Sequence, residues 1–220
     1  SHLERHGMDA VAVDGLGVGP APDAPAEGFD AIPMWVADMN FPTAPTITEA
    51  IIKRAQHPAF GYFDPTDDYF GSIIDWQKTR NGVEGLTPEC IGYENGVLGG
   101  VVSTLNSFME PGDKVLLHSP TYIGFTKCNE DNGFKIVHSP LKLDEDGVWR
   151  MDFEDMEAKL AEGNIHAAVF CSPHNPCGRV WERWEIERAM ELYRKYDCVV
   201  VSDEIWSDII LPGHKHIPTQ

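Results

Sequence analysis

The chain has 220 residues, 42% of them hydrophobic and 24% charged, a balance that belongs to a folded protein with a real core rather than to a disordered tail. Lysine and arginine total 17 against 35 aspartates and glutamates, a formal charge of −18. That excess disfavours nucleic acid or an anionic membrane as partner, since both select clustered positive charge, and it suits an enzyme acting on small molecules. The five cysteines, Cys90, Cys128, Cys171, Cys177 and Cys198, are odd in number and lack C-x-x-C spacing, so neither a disulfide framework nor a zinc site is expected. With no apolar run long enough to span a membrane and no signal-peptide core at the N-terminus, the expected location is cytoplasmic.

Residues 1–30, rich in Gly, Pro, Ala and Asp, read as an arm or loop. Ile32 to Pro45 reads as an extended segment turning into a helix over Thr46 to Gln56, with Ile47, Ala50, Ile51 and Ala55 at helical spacing and Thr43 or Thr46 as its cap. After the aromatic loop Ala59 to Tyr69, a second amphipathic helix spans Asp67 to Lys78, offering Phe70, Ile73, Ile74 and Trp76 for burial. A glycine turn, a helix over Val97 to Met109, a Pro-Gly-Asp turn and a strand over Lys114 to Leu117 follow. From there helix and strand alternate: helix Tyr122 to Asp131, strand Phe134 to Val137, helix Asp152 to Glu162, strand Ala167 to Cys171, helix Trp181 to Tyr196. The last element, CVVVSDEIW from Cys198 to Trp206, is an apolar run leading into Ser202, Asp203 and Glu204, the pattern of a strand buried on both faces. Alternation at this spacing predicts an α/β domain with a mainly parallel sheet.

In open α/β sheets, ligands bind beyond the carboxyl ends of the strands. Three such ends carry chemistry here: Ser119-Pro120-Thr121-Tyr122, Ser172-Pro173-His174-Asn175-Pro176 and Ser202-Asp203-Glu204. The helix start after Gly96 adds free backbone N–H groups and a positive dipole end suited to phosphate. An aromatic, an amide, a carboxylate and a phosphate-ready helix start together suit a planar, phosphorylated heteroaromatic ligand. Each residue also has a plainer role: Asp203 as a turn residue, Asn175 in an Asx turn, Tyr122 as packing, Tyr62 as one aromatic of a loop full of them. His174 reads as structural. His214 and His216 form an H-x-H without a third ligand, so no metal site is expected.

The order PMWVADMNF, NGVLGG, PGDKVLLHSPTY, SPHNPCGRV and VVVSDEIW resembles the fold-type I pyridoxal-phosphate enzymes of the aminotransferase class I and II superfamily. The resemblance covers nearly the whole chain after the first thirty residues or so. Its N-terminal segment and its FGYF–DW stretch are most similar to the cystathionine β-lyase branch typified by MalY and PatB. It implies a three-layer α/β/α fold with a mainly parallel mixed sheet. Residues 1–58 would form an N-terminal arm and a small-domain segment, and 59–220 a cofactor-binding large domain incomplete at its C-terminal end.

The resemblance also implies roles. Asp203 would pair with the protonated pyridine nitrogen of pyridoxal 5'-phosphate, Asn175 would donate to its phenolic oxygen, and Tyr122 would stack on its ring. The N–H groups of Val97 and Leu98 would hold its phosphate, and Tyr62 would reach across a homodimer interface to the partner's phosphate. Val36 and Ala37 would line the substrate carboxylate site. The implied reaction removes the α-proton of a sulfur amino acid and releases thiol, pyruvate and ammonia. Two residues depart from the branch: Trp206 stands where a histidine is common, and Leu98 where many aminotransferases have a hydroxyl. The lysine that carries the cofactor is expected beyond Gln220, because Lys215, the one lysine after Asp203, lies in an unmatched GHKHIP setting. The substrate-carboxylate arginine is expected there too, which makes these residues the N-terminal part of a longer chain. An aminotransferase, a non-catalytic pyridoxal-phosphate-binding regulatory protein and, more remotely, a nucleotide-binding doubly wound domain are the other readings.

Overall fold

The computed structural model describes residues 3–220. They form two compact units, the first ending at Asp64 and the second spanning Pro65–Gln220.

The first unit is tied together by polar contacts more than by a core. Arg5 bonds Asp38 at 2.6 Å and the Asn40 side chain at 3.2 Å, and the Trp35 indole donates to the Ala12 carbonyl at 3.1 Å. Its helices are α1 (Val11–Asp14) and α2 (Pro45–Ala55). Helix α2 starts one residue earlier than its apolar spacing suggests, and neither Thr43 nor Thr46 caps it. Ala44 is the N-cap and Pro45 the first helical residue, where a φ already fixed near the helical value makes a side-chain cap dispensable. Ile47 and Ile51, at helical spacing, are both exposed.

The second unit opens with α3 (Asp67–Trp76), which also buries none of its residues, and a short π-helical turn (Gln77–Asn81). Gly82, in the left-handed region at φ 71°, ends that turn. The layered part follows: α4 (Val97–Asn106), β1 (Lys114–Ser119), α5 (Ile123–Asp131), β2 (Lys135–Pro140), β3 (Lys142–Leu143), β4 (Trp149–Arg150), α6 (Phe153–Ala161), β5 (Ile165–Cys171), α7 (Arg183–Lys195) and β6 (Val199–Asp203). Strands β2, β1, β5 and β6 lie in that order in one sheet, every pairing parallel. Antiparallel pairing among the named strands is confined to β3 and β4, a hairpin too short to be visible as an apolar run.

Strand alternation sorts the core into two layers. Leu116, Ala168 and Phe170 face α6 and α7, meeting Met156, Leu160, Ile186, Ala189 and Tyr193. Val115, Leu117, Ala167, Val169 and Cys171 face α4 and α5, meeting Val101, Leu105 and Phe125. The arrangement is therefore three-layer α/β/α. Buried area on both faces explains why these strands read as unbroken apolar runs.

His118 is among the polar groups sealed into this core. His118 on β1 shares a 2.9 Å hydrogen bond with the Tyr193 hydroxyl on α7, and its Nδ1 has no partner. Burial pushes its pKa down to about 3, so the native state holds it neutral. An unfolded histidine takes up a proton at about 6.5. His118 therefore lends the native state stability that is complete above that pH and lost as the pH falls toward 3, with a slope of up to about 1.4 kcal/mol per pH unit. We expect His118→Gln, which keeps a partner for Tyr193, to flatten the fall of the urea midpoint between about pH 6.5 and 4. An equally steep fall in the variant would refute this account.

Candidate active site at the carboxyl edge of the sheet

Because the sheet is parallel, Ser119, Cys171 and Asp203 end neighbouring strands on one edge. Strand β1 has β2 on one side and β5 on the other, so the connections leaving β1 and β5 diverge between them. Such a reversal of strand order is where open α/β sheets form their ligand crevice.

The pleat decides which way each group looks. Val199 and Val201 on β6 pack in the layer of α4 and α5, so Asp203, in phase with them, faces that layer. Both helices begin at this edge: α5 follows the end of β1 directly, and α4 leads through Pro111 to Asp113 into the opposite end of β1. Two helix N-termini and one carboxylate thus share a corner.

Asp203 is 6% exposed. Its Oδ1 accepts from the Ile205 N–H at 3.0 Å, and among the described residues no lysine, arginine or histidine forms an ion pair with it. Burial pushes its pKa up; the Ile205 N–H opposes the rise and the neighbouring Glu204 charge adds to it. Glu204 shows the contrary response. It looks the other way, toward His216 at 2.8 Å, Ser202 at 3.0 Å and the N–H and hydroxyl of Thr219, each at 3.0 Å. Burial alone would raise its pKa, but these donors lower it below the usual glutamate value. Adjacent carboxylates thus differ: Glu204 is satisfied by protein donors, and the Asp203 carboxylate accepts one backbone N–H.

Helix α4 starts at Gly96, whose φ of 87° lies in the left-handed region open to glycine, and no side chain caps it. The first N–H groups of an α-helix have no partner within it, so those of Val97 and Leu98 remain available to an anion. Tyr122 is not inside α5, as its sequence suggests, but at the N-cap. Its half-exposed ring meets Phe125 edge-on at 5.5 Å. Gly124 explains the pose: a Cβ there would lie 2.4 Å from Tyr122 Cε1 and 2.8 Å from Leu98 Cδ1. The Tyr122 ring and the Leu98 side chain therefore converge on the bare backbone of Gly124. A glycine in the first turn of an amphipathic helix is the signal that could have disclosed this contact.

Asn175, half-buried, sits in the loop after β5. Cys171 is the register partner of Asp203, and the Ser172 N–H donates to the Asp203 carbonyl at 2.9 Å. Burial pushes the Cys171 thiol up to about 12, with the Asn175 backbone N–H opposing and the Asp203 charge assisting. Those influences bring Asn175 and Asp203 to the same cysteine. The loop is braced from behind by a buried ion pair that the sequence did not disclose. Arg179 bonds both oxygens of the fully buried Glu185 on α7, at 3.2 and 2.5 Å, and Glu185 also closes a capping box by accepting from the Glu182 N–H at 2.9 Å. The structure thus groups Val97, Leu98, Tyr122, Asn175 and Asp203 in the second unit. Tyr62, Val36 and Ala37 belong to the first unit, where Tyr62 is fully exposed and Val36 accepts from the Asp38 N–H at 2.8 Å. His216 is bound to Glu204, and among the described residues no group of three metal-ligating side chains occurs.

The chain has known relatives. The family model for aminotransferase class I and II matches residues 32–219. Cystathionine beta-lyase PatB of Bacillus subtilis is 42% identical over 86% of this chain and 48% of its own length. Protein MalY of Escherichia coli is 33% identical over 86% of this chain and likewise 48% of its own length. Cystalysin from Treponema denticola, solved with a pyridoxal 5'-phosphate cofactor, superposes with a TM-score of 0.91 at 30% identity, covering all of this chain and 54% of that one. The chain spans about half the length of the curated relatives it matches.

The raised pKa of Asp203 has a measurable consequence. A carboxyl whose folded pKa exceeds its unfolded value lends stability only at low pH, and that contribution disappears as the pH rises through the folded pKa. Above that pKa the ligand-free protein carries a buried charge that no cation among the described residues offsets. Asp203→Asn keeps the acceptor for Ile205 and removes that charge, so it should raise the urea midpoint of the ligand-free protein at a pH above that pKa. A lowered urea midpoint would contradict the unpaired state of Asp203.

Proposed function

From the chain's membership of the aminotransferase class I and II family, we propose that it supplies the cofactor-binding part of a pyridoxal-phosphate-dependent C–S β-lyase. The reaction is of the cystathionine β-lyase type: thiol, pyruvate and ammonia are released from a sulfur amino acid. The observation that carries the cofactor assignment is Asp203, a buried carboxylate at the crevice with no cation of its own. The likeness to PatB favours elimination over amino transfer.

The residues present fit the cofactor. The Asp203 carboxylate would hold the proton on the pyridine nitrogen, and that cation would in turn satisfy the charge that burial disfavours. Val97 and Leu98, at the uncapped start of α4, would bind the phosphate through backbone N–H groups. The Tyr122 ring would cover one face, and the Asn175 amide would donate to the phenolic oxygen. When bound, pyridoxal phosphate draws electron density from the substrate's α-carbon and so acidifies its proton. Val36 and Ala37 would line the site of the substrate carboxylate.

We further infer a homodimer in which Tyr62 reaches the partner's phosphate site, a role supported by its complete exposure. A reducing, cytoplasmic setting is supported by the five free cysteines. No helix among the described residues is long and apolar enough to cross a membrane. An aminotransferase is the second reading, supported by the family description itself.

The decisive assay supplies cystathionine and pyridoxal phosphate, without a keto acid, to the gene product that carries this chain. Pyruvate and thiol released in equal amounts are expected; amino transfer appearing only when a keto acid is added would establish the second reading instead. Gly124→Ala gives a narrower test. The new methyl must push the Tyr122 ring and Leu98 aside, while the helix itself gains up to about 1 kcal/mol from the better propensity of alanine. Cofactor affinity should fall about tenfold with no loss of stability. Unchanged affinity by absorbance titration would remove Tyr122 from the cofactor site.

A further inference from the structure

The pairing of β1 with β5 stops early. It runs to Leu117 opposite Val169, although β1 continues to Ser119 along β2 and β5 continues to Cys171 along β6. Past that point the two strands part, and the crevice opens between them. Tyr122 stands on one bank and Asn175 on the other. Among the described residues, a single hydrogen bond joins 119–122 to 172–179: from the His174 ring to the Pro120 carbonyl, 2.8 Å from Nε2. A carbonyl only accepts, so Nε2 carries the proton.

The rest of His174 is fixed as firmly. Its N–H donates to the Arg179 carbonyl at 2.7 Å and its carbonyl accepts from the Gly178 N–H at 2.8 Å, which closes the loop carrying Asn175. Its ring stacks at a tilt on Trp181, centroids 5.6 Å apart, and the residue is 3% exposed. Burial lowers its pKa, against the hydrogen bonds to the Pro120 and Cys171 backbone and in the same sense as the Arg179 charge. A packing residue would need none of this donor geometry.

We propose that His174 is a positioning residue: its Nε2–H bond to Pro120 sets the width of the crevice and so the placement of Asn175 relative to Tyr122. The proposal rests on the pyridoxal-phosphate reading and deepens it. His174 touches neither substrate nor cofactor. It acts through the loop it closes.

The test compares His174→Gln, whose amide can still donate to Pro120, with His174→Leu, which keeps bulk and loses the donor. Both are made in the gene product that carries this chain, saturated with pyridoxal phosphate. The readouts are the visible circular dichroism of the bound cofactor, which reports ring orientation, and its dissociation constant. A lost hydrogen bond of about 1 kcal/mol corresponds to roughly fivefold weaker binding in the leucine variant, accompanied by altered dichroism, with glutamine restoring both. Unchanged dichroism and affinity in the leucine variant, or a glutamine variant as impaired as leucine, would overturn the proposal. If the leucine variant does not fold, Asn175→Ala in the parent and in His174→Gln decides. Its cost in affinity should be similar in both, whereas loss of that cost in the glutamine background means that the donor is not what positions Asn175. Absence of any cofactor dichroism from the unaltered protein would overturn the functional reading and this proposal with it; a normal parent spectrum confines failure to the positioning role.

Discussion

A carboxylate removed from water without a counter-charge is costly, and the second unit is organised around one that it keeps in this state. Asp203 ends an edge strand, faces a helix layer and receives one backbone hydrogen bond. The surrounding residues satisfy Glu204 next to it with four donor contacts and leave Asp203 wanting. That difference between adjacent carboxylates makes the corner receptive to a cation and unreceptive to a second anion, except at the uncapped start of α4.

The two halves of the corner are built by different means. The carboxylate is placed by strand register, which is stiff because both faces of the sheet are packed. The aromatic and the amide are carried on loops and depend on bracing: Gly124 under the Tyr122 ring, and the Arg179–Glu185 pair behind the Asn175 loop. A buried ion pair adds little stability compared with apolar packing, but it fixes geometry, and breaking one partner costs several kcal/mol, roughly 3–5. Its position directly behind a ligand-facing loop is consistent with that use.

Much of this was legible in the residues. The run from Cys198 to Trp206 gave away a strand packed on both faces, though only partly buried, and the buried carboxylate at its end, because packing on two faces leaves no room for polar alternation. The helix–strand rhythm after Val97 is legible for the same reason. Helices α2 and α3 carry periodic apolar residues yet bury none among the described residues, since periodicity records what a helix could cover and not whether anything covers it. The cap of α2 was misjudged because Pro45 pre-sets the backbone that a threonine would otherwise have to hold. The β3–β4 hairpin and the Arg179–Glu185 pair were hidden because neither leaves an apolar or periodic pattern, whereas the Gly124 contact left one sign, a glycine in the first turn of α5.

The pleat of β6 also bears on how such a chain can change over generations. Val199, Val201 and Asp203 look to one side, and Val200, Ser202 and Glu204 to the other. Swapping one β-branched residue for another along this strand leaves every side chain on its own side. Deleting or inserting a single residue turns all of them over, sending Glu204 into the crevice and Asp203 toward His216. The arrangement therefore tolerates exchange of one β-branched residue for another and does not tolerate a change of length. What descent must preserve here is a count.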